Sequence, residues 1–345
     1  MQANPRPAGT VVVGCDSSSE SQKAVVAATH EASRRGTELV LLAVVERSPY
    51  WPDRLAWVTR AEAQSAQDAQ GAADLAMAKV RETDPAVAVR TVMVNELDSP
   101  ELFDSARQAG LLVLGRRGDG GQVVFSLGST SAELARRFRC PMLLVHDKNR
   151  PGQAQRFGPD RAVVAGMDFT EGADAVLGVA VNEAVLRGLP LVVVHTLRHG
   201  KGVDRAGIAD GWRRYRAALR EARLPADPRS RLVITQDEPV QALLNRVGPA
   251  DVLVVGTRGR GRLEGLIIGS VSRQILDNMT CDVIVVQPGV TGAVPVRPQG
   301  VRPRYDDEGL VGTCRDSTLA RPQCPSVVGD LWPHIARDVS RDLTI

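Results

Sequence analysis

The sequence predicts an α/β protein with two tandem, open, mostly parallel five-stranded sheets and helices on both faces. Three observations lead there. Short apolar runs rich in valine and leucine alternate with longer segments of helical period. The alternation occurs twice along the chain. Several motifs of the two passages also match each other at fixed offsets, which marks a duplicated domain and not a solenoid of short repeats.

In the first half, Val11–Val13 is a continuous β-branched run of the kind buried in a parallel sheet. The polar stretch after it offers Ser18 or Ser19 as a helix cap. Ser21–Arg35 carries Ala and Val at helical spacing, and Gly36 stops it. Leu39–Val45 is the second strand. Ala61–Glu82, rich in Ala and Gln, is a long helix. Val87–Val94 is a strand, Pro100–Gln108 a helix, Leu111–Leu114 a strand, Ser131–Phe138 a helix and Pro141–Val145 the closing strand. Strict alternation of this sort gives parallel strands joined by helical crossovers.

The second half repeats the order. Its strands are Ala162–Ala165, Leu191–Thr196, Arg231–Thr235, Val252–Val255 and Val283–Val286. Its helices lie near Ala173–Arg187, Asp204–Ala222, Val240–Val247 and Val271–Asp277. VVVGCD (Val11 to Asp16) falls on VVAGMD (Val163 to Asp168), and EASRRG (Glu31 to Gly36) on EAVLRG (Glu183 to Gly188), both at an offset of 152. Further on the offset is 141: LLVLGRRG (Leu111 to Gly118) falls on VLVVGTRG (Val252 to Gly259), and RCPMLLV (Arg139 to Val145) on TCDVIVV (Thr280 to Val286). The change places an insertion in the first half, in Glu46–Arg60. The domains are therefore 1–147 and 160–289, with a Pro/Gly-containing linker at 148–159. Residues 290–345 lose the periodicity and read as a disordered tail.

Composition narrows the function. Hydrophobic residues make up 43% of the 345 and charged residues 24%, ordinary for a globular chain. A net charge of +3 and only 3% aromatics argue against nucleic acid, which needs basic grooves and stacking platforms. Cys15, Cys140, Cys281, Cys314 and Cys324 show no CxxC spacing, so no zinc site is expected and reduced thiols are. No secretory leader and no membrane span are recognised, so a cytoplasmic location is expected.

The chemistry concentrates after the fourth strand of each half. Both halves carry Gly-x-x-Gly, nine residues, then Gly-Ser: Gly115, Gly118, Gly128 and Ser129, then Gly256, Gly259, Gly269 and Ser270. Ligands of open parallel sheets bind beyond the carboxyl ends of the strands. Glycine there lets backbone N–H groups approach an anion, and the following helix N-terminus favours phosphate. The hydroxyls of Ser129, Ser131, Ser270 and Ser272 can donate to phosphate oxygens, and Arg117 and Arg258, at matching positions, add charge. Asp16 and Asp168 end the first strand of each half. There a carboxylate can hold a ribose hydroxyl or a base amino group, or serve only as a loop or cap residue.

The strand VVVGCD, the doubled glycine-serine spacing and the closing strand CPMLLV resemble the universal stress protein family, over about residues 9–146 and 160–288. The resemblance implies an adenine-nucleotide α-hydrolase-like fold with strand order 3-2-1-4-5 in each half and pairing through the last strands. It implies that Asp16, Val44, Gly115, Gly118, Gly128 and Ser129, with Gly14 close behind, line a first ATP site. Asp168, Gly256, Gly259, Gly269 and Ser270, with Gly166 and Thr196, line a second. Magnesium accompanying the nucleotide is an open alternative. Three departures stand out: Asp119 stands where the second half has Arg260, bulky Phe169 lies in the turn MDFTEGA, and Thr196 replaces Val44.

Enzymatic motifs are missing. There is no Walker-type loop and no G-x-S-x-G elbow. His30, His146 and His195 do not form a repeated constellation. The expected function is a nucleotide-dependent regulator or sensor in stress response. A scaffold with vestigial sites and a slow ATP-hydrolysing enzyme are the alternatives. The apolar closing strands, exposed at sheet edges, are expected to pair within the chain as a pseudo-two-fold dimer. A protein partner and further homodimerisation are also expected; a membrane and nucleic acid are not.

Overall fold

A computed structural model describes residues 9–45, 56–95, 99–115, 129–146, 161–168, 173–196, 231–235, 237–257 and 269–287, with isolated positions 209, 213, 216, 217 and 290. The linker and almost all of 290–345 lie outside them, as does most of the helix expected over 204–222. The first half runs β1 (Thr10–Cys15), α1 (Ser19–Arg35), β2 (Leu39–Val44), α2 (Ala56–Thr83), β3 (Val89–Val94), α3 (Pro100–Gln108), β4 (Ala109–Gly115), α4 (Ser129–Arg137) and β5 (Met142–Val145). The second runs β6 (Val163–Gly166), α5 (Ala173–Arg187), β7 (Leu191–Thr196), β8 (Arg231–Thr235), α6 (Pro239–Leu244), β9 (Val252–Gly256), α7 (Ser270–Asp277) and β10 (Asp282–Val286). Element ends differ from the sequence reading by a few residues, most at α2, which starts five residues earlier than Ala61.

Local chemistry explains the boundaries. Ser18 caps α1, its Oγ accepting from the Ser21 N–H at 3.2 Å. Ser99 caps α3 in the same way, with Pro100 in its first turn, where the missing N–H costs nothing. Gly36 and Gly188 follow α1 and α5 at φ 60° and 61°, the left-handed conformation that closes a helix. A Cβ at either would meet nothing within 4 Å, so backbone strain is the whole penalty. Gly36→Ala and Gly188→Ala are each expected to cost about 1 kcal/mol. Thermal melts of the two variants should fall together if the halves are built alike.

The two five-stranded sheets, expected to pair through their closing strands, form one ten-stranded sheet of order β3-β2-β1-β4-β5-β10-β9-β6-β7-β8. Each half does keep the order 3-2-1-4-5. All pairings within the halves are parallel. At the centre β5 and β10 run antiparallel, with Leu144 opposite Val283, Leu143 opposite Ile284 and Met142 opposite Val285. Pairing satisfies both unpaired edges, and two sheets joined this way become one. The apolar faces of the sheet lie in two cores that both continue across the seam.

Besides these strands, the seam holds a buried group of charges. Glu31 and Arg35 in the last turns of α1 meet Glu183 and Arg187 of α5, the same four positions of the repeat. Arg35 pairs with Glu183, and Arg187 Nη2 lies 2.6 Å from Glu31. Within its own helix Arg35 also reaches Glu31 at 3.1 Å, and Arg187 reaches Glu183 at 3.0 Å. Both carboxylates thus bridge both helices. Close by, Gln287 donates through Nε2 to the Ala135 carbonyl at 2.7 Å, and Asp282 accepts from the His146 N–H at 2.9 Å, each bond crossing between halves.

Candidate functional site

In the first half the strand order reverses between β1 and β4, which opens a crevice at their carboxyl ends. Gly115 ends β4 there and Cys15–Asp16 leaves β1. Asp16 is exposed, and its Oδ1 accepts from the Ser18 N–H at 2.8 Å and the Ser18 hydroxyl at 2.5 Å. Its own N–H donates to Ser21 Oγ at 2.9 Å. The carboxylate thus stabilises the turn that starts α1, while Ser18 does the capping. The neighbouring Cys15 thiol is pushed up to about 12, chiefly by burial and then by the Asp16 charge, so it stays protonated and unreactive.

The glycines here have unequal roles. A Cβ on Gly115 would stand 2.6 Å from the Glu20 carbonyl oxygen and 3.1 Å from the Ser21 nitrogen. The first residue of the glycine motif is therefore required by the approach of α1 to the end of β4. A Cβ on Gly14 would meet only Leu114 Cδ2 at 3.3 Å and Leu134 Cδ1 at 3.4 Å, and one on Gly166 the Leu243 Cδ1 at 2.8 Å. Both look into the core beneath the crevice. Val44, at the end of β2, is partly buried against the same core.

The second half repeats the arrangement. Gly166 ends β6 and exposed Asp168 follows two residues later. Gly256 ends β9, beside β6. Gly269 precedes α7 in an extended conformation, φ −57° and ψ 160°, with no side-chain cap. Its N–H donates to the Thr257 carbonyl at 2.7 Å, while the Thr257 N–H donates to Val286 at 2.9 Å. These bonds fix the start of α7 beside the end of β9. Ser270 is exposed in the first turn. The Ser272 hydroxyl donates to the Gly256 carbonyl at 2.5 Å and ties the helix to the strand.

In the first half, Ser129 opens α4 at the matching place, and Ser131 lies partly buried in its first turn. Arg117, Gly118, Gly128, Arg258 and Gly259 lie outside the described residues, as do Asp119 and Arg260. The structure therefore brings Asp16, Gly115 and the start of α4 to the carboxyl ends of the first half's strands, and Asp168, Gly256 and the start of α7 to those of the second half, at opposite ends of the sheet because β5 and β10 run antiparallel.

Sequence reasoning missed Thr235 and Asp237. Thr235 ends β8 beside Thr196 of β7. Its hydroxyl donates to Asp237 Oδ2 at 2.7 Å. The offset of 141 pairs Thr235 with Val94, a signal that comparing the two halves could have supplied. It also missed Thr257, whose role lies in main-chain bonds that a side-chain pattern does not show.

A groove of about 520 Å³ runs beside β3, lined by Arg90, Met93, Glu101 and Asp104 among others. It contains none of the candidate residues and lies along the sheet edge, away from the switch points. Among the described residues no helix is long and apolar enough to cross a membrane.

Comparison with known proteins agrees with this architecture. The model of the universal stress protein family matches residues 8–146 and 161–287. The universal stress protein Rv2005c of Mycobacterium tuberculosis is 30% identical over 297 residues, covering 83% of this chain and 99% of its own. The crystal structure of a universal stress protein from Archaeoglobus fulgidus DSM 4304 superposes with a TM-score of 0.56 at 16% identity, over 82% of this chain and 99% of that one. A universal stress protein from Archaeoglobus fulgidus in complex with dAMP matches 42% of this chain and all of its own, at 15% identity and a TM-score of 0.29; the bound nucleotide is a property of that protein. With one matching domain in each half, the chain belongs to the universal stress protein family.

Proposed function

We propose that this chain is a cytoplasmic, nucleotide-dependent regulator of stress response that binds ATP or another adenine nucleotide in each half. The observation that carries the reading is the start of α7. A helix without a side-chain cap opens at the carboxyl end of β9, beside the switch point, where unpaired N–H groups and the helix dipole attract a phosphate. Ser129 opens α4 at the matching place in the first half. Asp16 and Asp168 supply a carboxylate each for ribose or for a magnesium ion held mainly by the phosphates. Occupancy acts on a partner protein by favouring one conformation of the chain over another.

A second reading, a scaffold with vestigial sites, is favoured by Gly115, whose small size is already required by packing against α1. Ser129→Glu and Ser270→Glu separate the two. A carboxylate in the first turn favours a helix but repels a phosphate. The double variant is expected to keep or raise its melting temperature while ATP affinity, measured by calorimetry, falls at least tenfold. Nucleotide released on denaturing the purified wild-type chain identifies the ligand. Wild-type affinity no tighter than that of the double variant would establish the scaffold.

A further inference from the structure

The two halves differ at the far side of the crevice from the phosphate end. The ends of β2 and β3 carry Val44 and Val94, which stand opposite each other in the ladder. The matching ends of β7 and β8 carry Thr196 and Thr235, again direct partners. Both substitutions turn an apolar floor into a hydroxyl-bearing one at the same two places.

All four residues share a face with the helix that opens the phosphate site. Side chains alternate along a strand. Val192 and Val194 of β7, and Val233 of β8, pack in the core that contains Ile275 and Leu276 of α7, and Thr196 and Thr235 continue those rows. Counting strands from β9 across β6, Thr196 lies about 10 Å and Thr235 about 14 Å from the end of β9. A nucleotide with its phosphates at the start of α7 and lying along this face extends its base toward them.

The hydroxyl of Thr196 makes no hydrogen bond among the described residues and is partly exposed. Thr235 acts differently. Its hydroxyl donates to Asp237 Oδ2 at 2.7 Å and accepts from the Asp237 N–H at 3.3 Å. Arg246, which follows α6 on this face, stands 3.6 Å from the same oxygen. Thr235 and Arg246 therefore position the carboxylate through one oxygen. Oδ1 makes no hydrogen bond among the described residues and can accept from a ligand.

We propose that the second half is the base-selective site, reading the exocyclic amino group of a purine nucleotide through Asp237 and Thr196, while the first half holds its base by apolar contact. The proposal rests on the nucleotide reading above. A carboxylate only accepts, so it favours a base edge that donates, and a hydroxyl supplies the complementary donor to a ring nitrogen. In the first half Val44 offers no hydroxyl, and Val94, in the place of Thr235, has no hydroxyl to hold the carboxylate of Glu96, which matches Asp237 at the offset of 141.

The test isolates each site in the full chain. Ser129→Glu leaves the second site, and Ser270→Glu the first. Each is titrated with ATP, purine riboside triphosphate, GTP and ITP. In the Ser129→Glu chain an amino-bearing purine is expected to bind about 10- to 100-fold tighter than its counterpart lacking that group, the size of a hydrogen bond to a charged acceptor. A preference for ATP over purine riboside triphosphate assigns the 6-amino group; one for GTP over ITP assigns the 2-amino group. In the Ser270→Glu chain both ratios are expected within about threefold of one. Adding Thr196→Val and Asp237→Asn to Ser129→Glu should bring its ratio to that level. Wild-type chain, titrated without any substitution, should show two sites of unequal selectivity.

Equal ratios at the two sites, or a ratio that survives Thr196→Val with Asp237→Asn, would overturn the proposal and leave nucleotide binding intact. No binding of any of the four by the wild-type chain would overturn both readings together.

Discussion

Truncation of Glu31 to alanine is expected to destabilise the chain by about 3–5 kcal/mol, read as a lower urea midpoint with an unchanged slope. Glu31 is 3% exposed and holds Arg34, Arg35 and Arg187. Without it, the two buried arginines of the seam, Arg35 and Arg187, face the single carboxylate of Glu183. The loss is that of an uncompensated buried charge. Replacing Glu31, Arg35, Glu183 and Arg187 together by leucine and methionine is expected to cost much less, because desolvation offsets most of what the ion pairs contribute. A loss below about 1 kcal/mol for Glu31→Ala would mean that water reaches the guanidiniums. Acid should reveal the same group. Burial works to raise the Glu31 pKa, but Arg187, Arg35 and Arg34 outweigh it and hold the carboxyl below its usual range. Its contribution is therefore complete above the unfolded value of about 4.3 and is lost as the pH falls through the folded value. Stability of the wild-type chain should fall more steeply in that range than that of Glu31→Gln.

Gly115→Ala is expected to cost about 2–3 kcal/mol, more than the same change at Gly14 or Gly166 near the carboxyl ends of β1 and β6. Its Cβ would press on backbone atoms of α1, which yield only if the helix moves, whereas a Cβ on Gly166 meets the end of a leucine side chain and one on Gly14 meets the ends of two leucines at 3.3 and 3.4 Å, a tight contact that they relieve by small shifts. Melting temperatures should therefore rank Gly14→Ala above Gly166→Ala above Gly115→Ala. A Gly115→Ala variant as stable as Gly14→Ala would place α1 farther from β4 than the structure has it. The ranking also bears on function. A nucleotide affinity lost in Gly115→Ala reports a displaced helix as readily as a damaged site, so Ser129 and Ser270 are the better positions for testing binding.

Strand and helix order, the duplication and the family were legible because each is a local or repeated pattern. VVVGCD and VVAGMD announce buried strands by their own composition, and the matched offsets need no knowledge of space. The pairing of the closing strands was legible as well, since MLLV and VIVV are apolar edges that have to be covered. The candidate site was half legible: the spacing located Gly256, Gly269 and Ser270, while the roles of Gly115 and Ser272 depend on which backbone atoms lie beside them.

The sequence by itself determined two α/β units with matching glycine-serine spacing after their fourth strands, because hydrophobic period, helix caps and glycine spacing act over a few residues. Only the tertiary structure decided that Glu31, Arg35, Glu183 and Arg187 meet at the seam, and that Thr196, Thr235 and Asp237 stand together on the face where α7 begins. Those facts join residues many positions apart in the chain. What brings them together is the burial of both sheet faces, with no pattern between neighbours to announce it.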